Sequence, residues 1–255
     1  MSTKLFYLDE FFEDIRQEIA KDVNKKALIQ ELENKFDLSI IPYQSQINSW
    51  LSISPNQLNQ HFQNTTSFEK EIQLNLNNFL TELSNLDCKS SQKERLLNKF
   101  IEDSIYILLV NRYFWILSSS FTNDPIHIRL VSSNEETGII ETPKEIFTTL
   151  NLDNINYQTY LISLLKLIDI IVNYTTTTVI NQSIGSTNEK SSNYTLGIIN
   201  SQIVSKIQNG FSLLDLKNDI LRKRYDSLKY NSQRLNKIVY DLSLRNLVTT
   251  SGEVE

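Results

Sequence analysis

The sequence predicts an all-α protein folded as a single multi-helix bundle. Only 5 of its 255 residues are glycine and 4 are proline, well below the usual shares of about 7% and 5%. Sheets need turns, and turns draw on both residues. Apolar residues also recur at spacings of three and four, which is the period of an amphipathic helix. With 40% hydrophobic residues, we expect one helical domain over residues 1–255 with a frayed tail at 248–255.

The composition also excludes several classes of protein. Cys88 is the only cysteine, so a disulfide scaffold is excluded and an inert thiol is expected. The two histidines form no zinc-ligand motif. The chain contains no run of about 18 apolar residues, which is the length that a membrane span needs. The acidic N-terminus differs from a secretory or transit signal, so we expect a cytoplasmic and nuclear protein.

The first three helices follow from apolar spacing. The first is predicted over 7–35, and Pro42 and Pro55 then bracket a turn-rich or kinked passage. The second is predicted over 58–86 and the third over 93–121, whose apolar centre indicates a central buried helix. The stripe that predicts the first helix comprises Leu8, Phe12, Ile15, Ile19, Val23, Leu28 and Leu32.

Four more helices complete a bundle of about seven. Thr142 followed by Pro143 and Glu145 predicts the capped start of a short helix that ends near Leu150. The fifth helix is predicted over 156–179, a polar loop over 181–193, the sixth helix over 195–213 and the seventh over 217–247.

The C-terminal segment carries leucines spaced by seven. A coiled coil needs a second apolar position in each heptad, and polar residues such as Lys217 and Asn231 occupy most of those positions. The stripe therefore predicts packing in a bundle or at an oligomer interface, without a free zipper. Its members are Leu214, Leu221, Leu228, Leu235 and Leu242.

The same segment is basic within an acidic chain. Between Lys206 and Arg245 there are nine Lys or Arg and four Asp, a net charge of +5, while the rest has 16 basic and 26 acidic residues, a net charge of −10. This asymmetry favours an anionic partner or, alternatively, a solvated helix face.

Several motifs resemble the translin family. The segment from Gly210 to Arg245 contains LKND, LRKRYD, LKY and VYDL in the family's order and spacing. Asp14–Ile19 resembles the family's N-terminal D-I-R-E-E-I motif. Tyr160-Leu161 followed by Val179 matches the spacing between the family's Y-L and N-S-V motifs, and Asn111-Arg112 resembles its central Q-R motif. The likeness spans most of the chain and is dense over the last 40 residues.

The resemblance implies a fold and a function. It implies seven helices that assemble into a hollow oligomer, an octamer, and binding of single-stranded DNA and RNA. It also implies a paralogous partner, translin-associated factor X, with which the family forms an endoribonuclease complex that acts in small-RNA and tRNA processing.

The resemblance assigns catalysis to that partner. The positions of the partner's Mg²⁺-binding carboxylates correspond to Arg112, Trp115 and Lys166 of this chain, and none of these side chains can bind a metal ion. We therefore expect no catalytic residue, no metal ligand and no cofactor in this chain, with Mg²⁺ possible only in a complex with a catalytic partner. Whether the lone chain is an enzyme stays open. A stand-alone endoribonuclease that uses carboxylates not yet placed is an alternative, and the candidate pairs are Glu102-Asp103, Asp9-Glu10 and Asp215 with Asp219.

Nucleic-acid binding requires cations for phosphates and aromatic rings for bases. The family's basic segment corresponds here to residues 101–106, which contain two acids and no base. This change favours the alternative of a structural interaction subunit that has lost its own nucleic-acid surface. The remaining candidate nucleic-acid-binding residues are Lys93, Arg95, Lys99, Arg112, Arg222 and Arg224.

Overall fold

The computed structural model describes residues 3–60, 65–120, 140–154, 156–185, 194–216 and 220–247. Within these ranges it contains seven α-helices, one 3₁₀ helix and no strand, so the predicted all-α class is confirmed. The helices are α1 (Thr3–Leu51), α2 (Thr65–Asn85), α3 (Ser90–Ser120), α4 (Pro143–Thr149), α5 (Tyr157–Gly185), α6 (Thr195–Ser212) and α7 (Ile220–Leu244), and the 3₁₀ helix is Pro55–Gln60.

The core forms around α3, as its apolar centre predicted. This helix packs against α1, α2, α5 and the 3₁₀ helix, and α5 in turn packs against α6 and α7. Phe100, Tyr113 and Phe114 of α3 are fully buried. Aromatic contacts link the layers, since Phe36 of α1 stacks on Phe100 at 4.1 Å and Phe114 meets Tyr174 of α5 edge to face at 5.0 Å.

Helix α1 is longer than its sequence predicted. The helix does not end near Lys35 but continues through Pro42 to Leu51. Its second half buries one face, and Pro42 lies on the exposed side of the helix. Tertiary burial therefore outweighs the cost of a proline in the helix. The buried residues beyond Lys35 are Phe36, Ile40, Ile47 and Trp50.

Helix α4 begins as predicted. The Thr142 side chain accepts a hydrogen bond from the Glu145 backbone N–H, and the Glu145 carboxylate accepts one from the Thr142 N–H at 2.7 Å. This capping box satisfies two backbone donors at the helix start. It fixes the entry into α4, whose Ile146 and Phe147 are buried.

Helix α5 is a core helix that extends beyond its predicted end. It does not stop near Val179 but continues to Gly185, so the predicted loop starts at least five residues later; residues 186–193 lie outside the described ranges. The Thr175 and Thr176 hydroxyls donate to the carbonyls of Ile171 and Val172 one turn earlier, so both hydroxyls have partners within the helix. By length and hydropathy, residues 157–183 could cross a bilayer, but 61% of the apolar window is buried inside the chain. That burial is typical of a core helix.

The leucine stripe of α7 lies inside the chain. Leu221, Leu228, Leu235 and Leu242 are buried, with at most 6% of each exposed. Of the two predicted roles, bundle packing describes these four residues, since α5 and α6 cover the helix on this side. Their assignment to an oligomer interface stays a prediction. Leu214 precedes α7 and is 42% exposed.

Candidate nucleic-acid interface

Two of the predicted nucleic-acid-binding cations are held by carboxylates of α1. Arg95 forms a two-pronged ion pair with Glu33, with N–O distances of 3.1 and 2.8 Å. Lys99 lies 3.0 Å from Glu33 and 2.7 Å from Asp37. A phosphate at this surface would have to displace an acid that is already bound. Binding by Arg95 and Lys99 stays a prediction, but the structure gives them a role in joining α3 to α1.

The Glu33 ion pairs make folding sensitive to acid. The hydrogen bonds from Arg95, followed by those from Lys99, lower the pKa of Glu33 from 4.5 to about 2, although burial opposes the shift. A lowered pKa stabilises the fold above the unfolded value of about 4.5, and this stabilisation is lost as the pH falls toward 2.

We expect Glu33→Gln to lose about 1 kcal/mol of stability at pH 7 and less as the pH falls below 4.5. Urea unfolding between pH 3 and pH 7 measures this difference. Glu31→Gln is the matched control, because Glu31 is exposed on the same helix and pairs with Lys35 one turn away. Equal losses for both variants at every pH would contradict the assignment.

Arg112 is a half-buried structural cation. Its Nε atom lies 3.5 Å from Glu141 Oε1, and its guanidinium lies 4.3 Å from the centre of the Trp115 ring. Burial raises the pKa of both Glu141 and Glu69, and the charge of Arg112 opposes each rise. Arg112 therefore pairs with Glu141 and lies within range of the charge of Glu69, and these contacts support a structural role. Its nucleic-acid binding stays a prediction.

The third position implied for a catalytic acid is occupied by Lys166. Its Nζ lies 2.8 Å from Glu102 and 2.9 Å from Asp103, and it links α5 to α3. Burial would lower the pKa of Lys166, but the charges and hydrogen bonds of Asp103 and Glu102 outweigh this effect and raise it. One ammonium thus pairs with both acids of the candidate pair Glu102-Asp103. Across the described ranges, no group of three or more His, Cys, Asp or Glu is placed to hold a metal ion; His61 and His127 lie outside these ranges.

Helix α7 presents a different kind of basic surface. Ile220–Leu244 carries six Lys or Arg and two Asp, a net charge of +4. The helix is held on both flanks, because Asn231 donates to Asp169 of α5 at 2.7 Å and Ser201 of α6 donates to Asn236 at 2.8 Å. The helix surface that lies between the side of Asn231 and the side of Asn236 therefore faces away from the bundle.

This outward surface combines cations with aromatic rings. Tyr230 and Tyr240 are 73% and 62% exposed, and Lys223, Arg234 and Lys237 are exposed on the same side. Spacings of three, four and seven residues place them on one helix face. No carboxylate of the described ranges lies within ion-pair distance of the three cations. We call Lys223, Tyr230, Arg234, Lys237 and Tyr240 the α7 basic face; it is about 26 Å long.

The other predicted cations lie on two helices, α7 and α3. Arg222 is exposed at the edge of the α7 basic face, and Arg224 is partly buried on the opposite side. Lys93 donates to the Ser84 carbonyl at 3.1 Å and joins α3 to the end of α2. Lys229 pairs with Asp226 on the same helix at 3.5 Å.

The sequence identifies the basic segment but its net charge alone does not identify the α7 basic face, to which Tyr230, Arg234, Lys237 and Tyr240 belong. The signal was present, since Tyr230, Arg234 and Lys237 lie four and then three residues apart and opposite the leucine stripe. That periodicity predicts a shared exposed face once the leucines are placed in the core.

Comparison with known proteins supports the likeness seen in the motifs. The family model described as the Translin family matches residues 40–246. The chain is 53% identical over 47 residues to translin of Gallus gallus, covering 18% of this chain and 20% of that protein. It is 49% identical over 57 residues to translin of Homo sapiens, covering 22% of this chain and 25% of that protein. The matched segments thus span a fifth to a quarter of the length of these relatives.

Proposed function

We propose that this chain, which belongs to the translin family, binds single-stranded RNA or DNA through the α7 basic face. The family is known for nucleic-acid binding. The observation that carries the proposal is the alternation of exposed cations and exposed tyrosines along one outward helix face. Cations neutralise phosphates and aromatic rings stack on unpaired bases, so this combination suits single strands.

The proposal includes a place in a larger assembly. We propose that the chain associates with itself, up to an octamer, and with a paralogue similar to translin-associated factor X. In that complex it would be the non-catalytic or weakly catalytic subunit of an endoribonuclease acting in small-RNA and tRNA processing, in the cytoplasm and nucleus. The support within this chain is Lys166, whose ammonium lies between Glu102 and Asp103, so that any Mg²⁺ would be held by the partner.

A second candidate function is a purely structural subunit. It is favoured by the ion pairs that hold Arg95 and Lys99 against α1 and Arg112 against Glu141. If those cations correspond to the family's binding surface, this chain engages them in ion pairs within the fold. The two candidates differ in one property, since only the first predicts that the purified chain binds a single strand.

Fluorescence anisotropy of a labelled single-stranded RNA with the purified chain separates these candidates. We expect binding that weakens as salt rises, with a slope of about −2 in log K against log salt for three phosphate contacts. A double-stranded RNA of the same length is the control and should bind less well, because its bases are not available for stacking. No binding at low salt would favour the structural subunit.

A further inference from the structure

The N-terminal half of α1 stands clear of the bundle. Every described side chain from residue 11 to residue 28 is exposed, and the buried face of α1 begins only at Ile29. We call residues 11–28 the α1 arm; it is about 27 Å long. An isolated helix of this length is only marginally stable in water, because most helices in proteins are stabilised by packing of an apolar face.

The α1 arm has such an apolar face, and nothing in the described chain covers it. Phe12, Ile19 and Val23 are 59%, 59% and 58% exposed, and Ile15 is 37% exposed. Their spacings of three and four residues align them in one stripe along the helix. Phe11 extends the stripe and contacts Phe12 edge to face at 5.8 Å. A contiguous exposed apolar stripe rimmed by charges marks an interaction surface.

The charges of the arm identify the occupant. Residues 11–18 contain Glu13, Asp14, Glu18 and Arg16, a net charge of −2. Residues 19–26 contain Lys21, Lys25, Lys26 and Asp22, a net charge of +2. Two identical arms in antiparallel orientation place each acidic half against a basic half, whereas a parallel pair places like charges together. Within the chain, Lys25 lies 2.7 Å from Asp87 and Lys21 lies 3.5 Å from Glu18, so an antiparallel copy would exchange the exposed Lys21–Glu18 pair for pairs between copies.

We propose that the α1 arm is a self-association surface on which a second copy of this chain packs antiparallel. Ile15 of one copy then lies beside Ile19 of the other, and Phe12 beside Val23, about a two-fold axis. Such an isologous contact is self-complementary and closes after two copies. This inference rests on the self-association included in the proposed function and assigns it to a surface distant in sequence from the α7 basic face.

The first test removes the apolar stripe. Ile15→Asp combined with Ile19→Asp should lower the mass of the full chain at least twofold in sedimentation velocity, toward the 29.7 kDa monomer. Leu38→Asp is the matched control, because Leu38 is 65% exposed on the same helix outside the arm, and it should leave the mass unchanged. An unchanged mass for the double variant, or a monomeric wild-type chain, overturns the proposal.

The second test depends only on charge and distinguishes a second copy from another partner. Glu13→Lys with Glu18→Lys makes both halves of the arm basic, and Lys21→Glu with Lys26→Glu makes both halves acidic. Each variant alone should dissociate, and an equimolar mixture should recover the wild-type mass. Failure of the mixture to recover contradicts antiparallel pairing even where each variant dissociates.

RNA binding is measured on the same variants to separate this proposal from the proposed function. A variant that loses mass but still prefers single-stranded RNA supports both the arm proposal and the proposed function. An unchanged mass with RNA binding retained overturns the arm proposal alone.

Discussion

Reversing three charges on the α7 basic face is expected to lower the affinity for single-stranded RNA about 100-fold at 0.1 M salt. The variant combines Lys223→Glu, Arg234→Glu and Lys237→Glu. Each cation that contacts a phosphate changes the slope of log K against log salt by about 0.7 for a single strand, so the slope should become shallower by about 2. The three residues are exposed and lie opposite the buried leucines, so the fold should be retained. Anisotropy titrations at four or more salt concentrations give both quantities.

The matched control reverses three exposed cations elsewhere. Lys70 in α2, Lys89 before α3 and Lys144 in α4 are exposed, and their replacement by Glu produces the same change in net charge. We expect less than a threefold loss of affinity for this control. Equal losses for the two triple variants would mean that net charge, and not the α7 basic face, governs binding.

Replacing Asn200 with Leu is expected to destabilise the fold by about 2–4 kcal/mol. Asn200 is fully buried in α6, where its amide joins three helices. Its oxygen accepts a hydrogen bond from the Tyr113 hydroxyl at 3.0 Å, and its nitrogen donates to the Thr175 hydroxyl at 2.7 Å. Leucine removes both bonds and leaves the buried Tyr113 hydroxyl without this partner. A buried polar group that loses its partner costs more than the hydrogen bond contributed.

Urea unfolding of the Asn200→Leu variant measures this loss. Asn209→Leu on the same helix is the control, because Asn209 is exposed, and its stability should change by at most about 0.5 kcal/mol. A wild-type unfolding midpoint for Asn200→Leu would show that the three-helix hydrogen-bond network contributes nothing to stability.

Most of the fold was predictable because helix period and capping are local properties. The stripe of α2, the apolar centre of α3 and the capping box at Thr142 were each recognised from neighbouring residues and are confirmed. The helix continues past Pro42 because distant parts of the chain bury Ile47 and Trp50, and local sequence does not contain that information. The extension of α5 beyond Val179 has no such explanation, since Ile180, Asn181 and Ser183 are exposed.

The candidate site was harder to predict because its determinants are non-local. Arg95 and Lys99 read as free cations, but their carboxylate partners Glu33 and Asp37 lie 62 to 66 residues away in sequence. Spacing also reveals an apolar stripe without showing what covers it. The leucines of α7 are covered within the chain, whereas Phe12 and Ile19 of the α1 arm are not. Only the three-dimensional arrangement distinguishes these two stripes.

The most direct test of nucleic-acid binding at the α7 basic face is ultraviolet cross-linking of a bound single-stranded RNA, followed by mass spectrometry of the peptides. Tyr230 and Tyr240 are exposed aromatic rings that bases can stack on. We expect the main cross-links in the peptide that contains residues 225–245, and we expect them to disappear in the triple charge-reversal variant. Cross-links confined to residues 89–120, with none on α7, would contradict the account and return binding to the α3 surface.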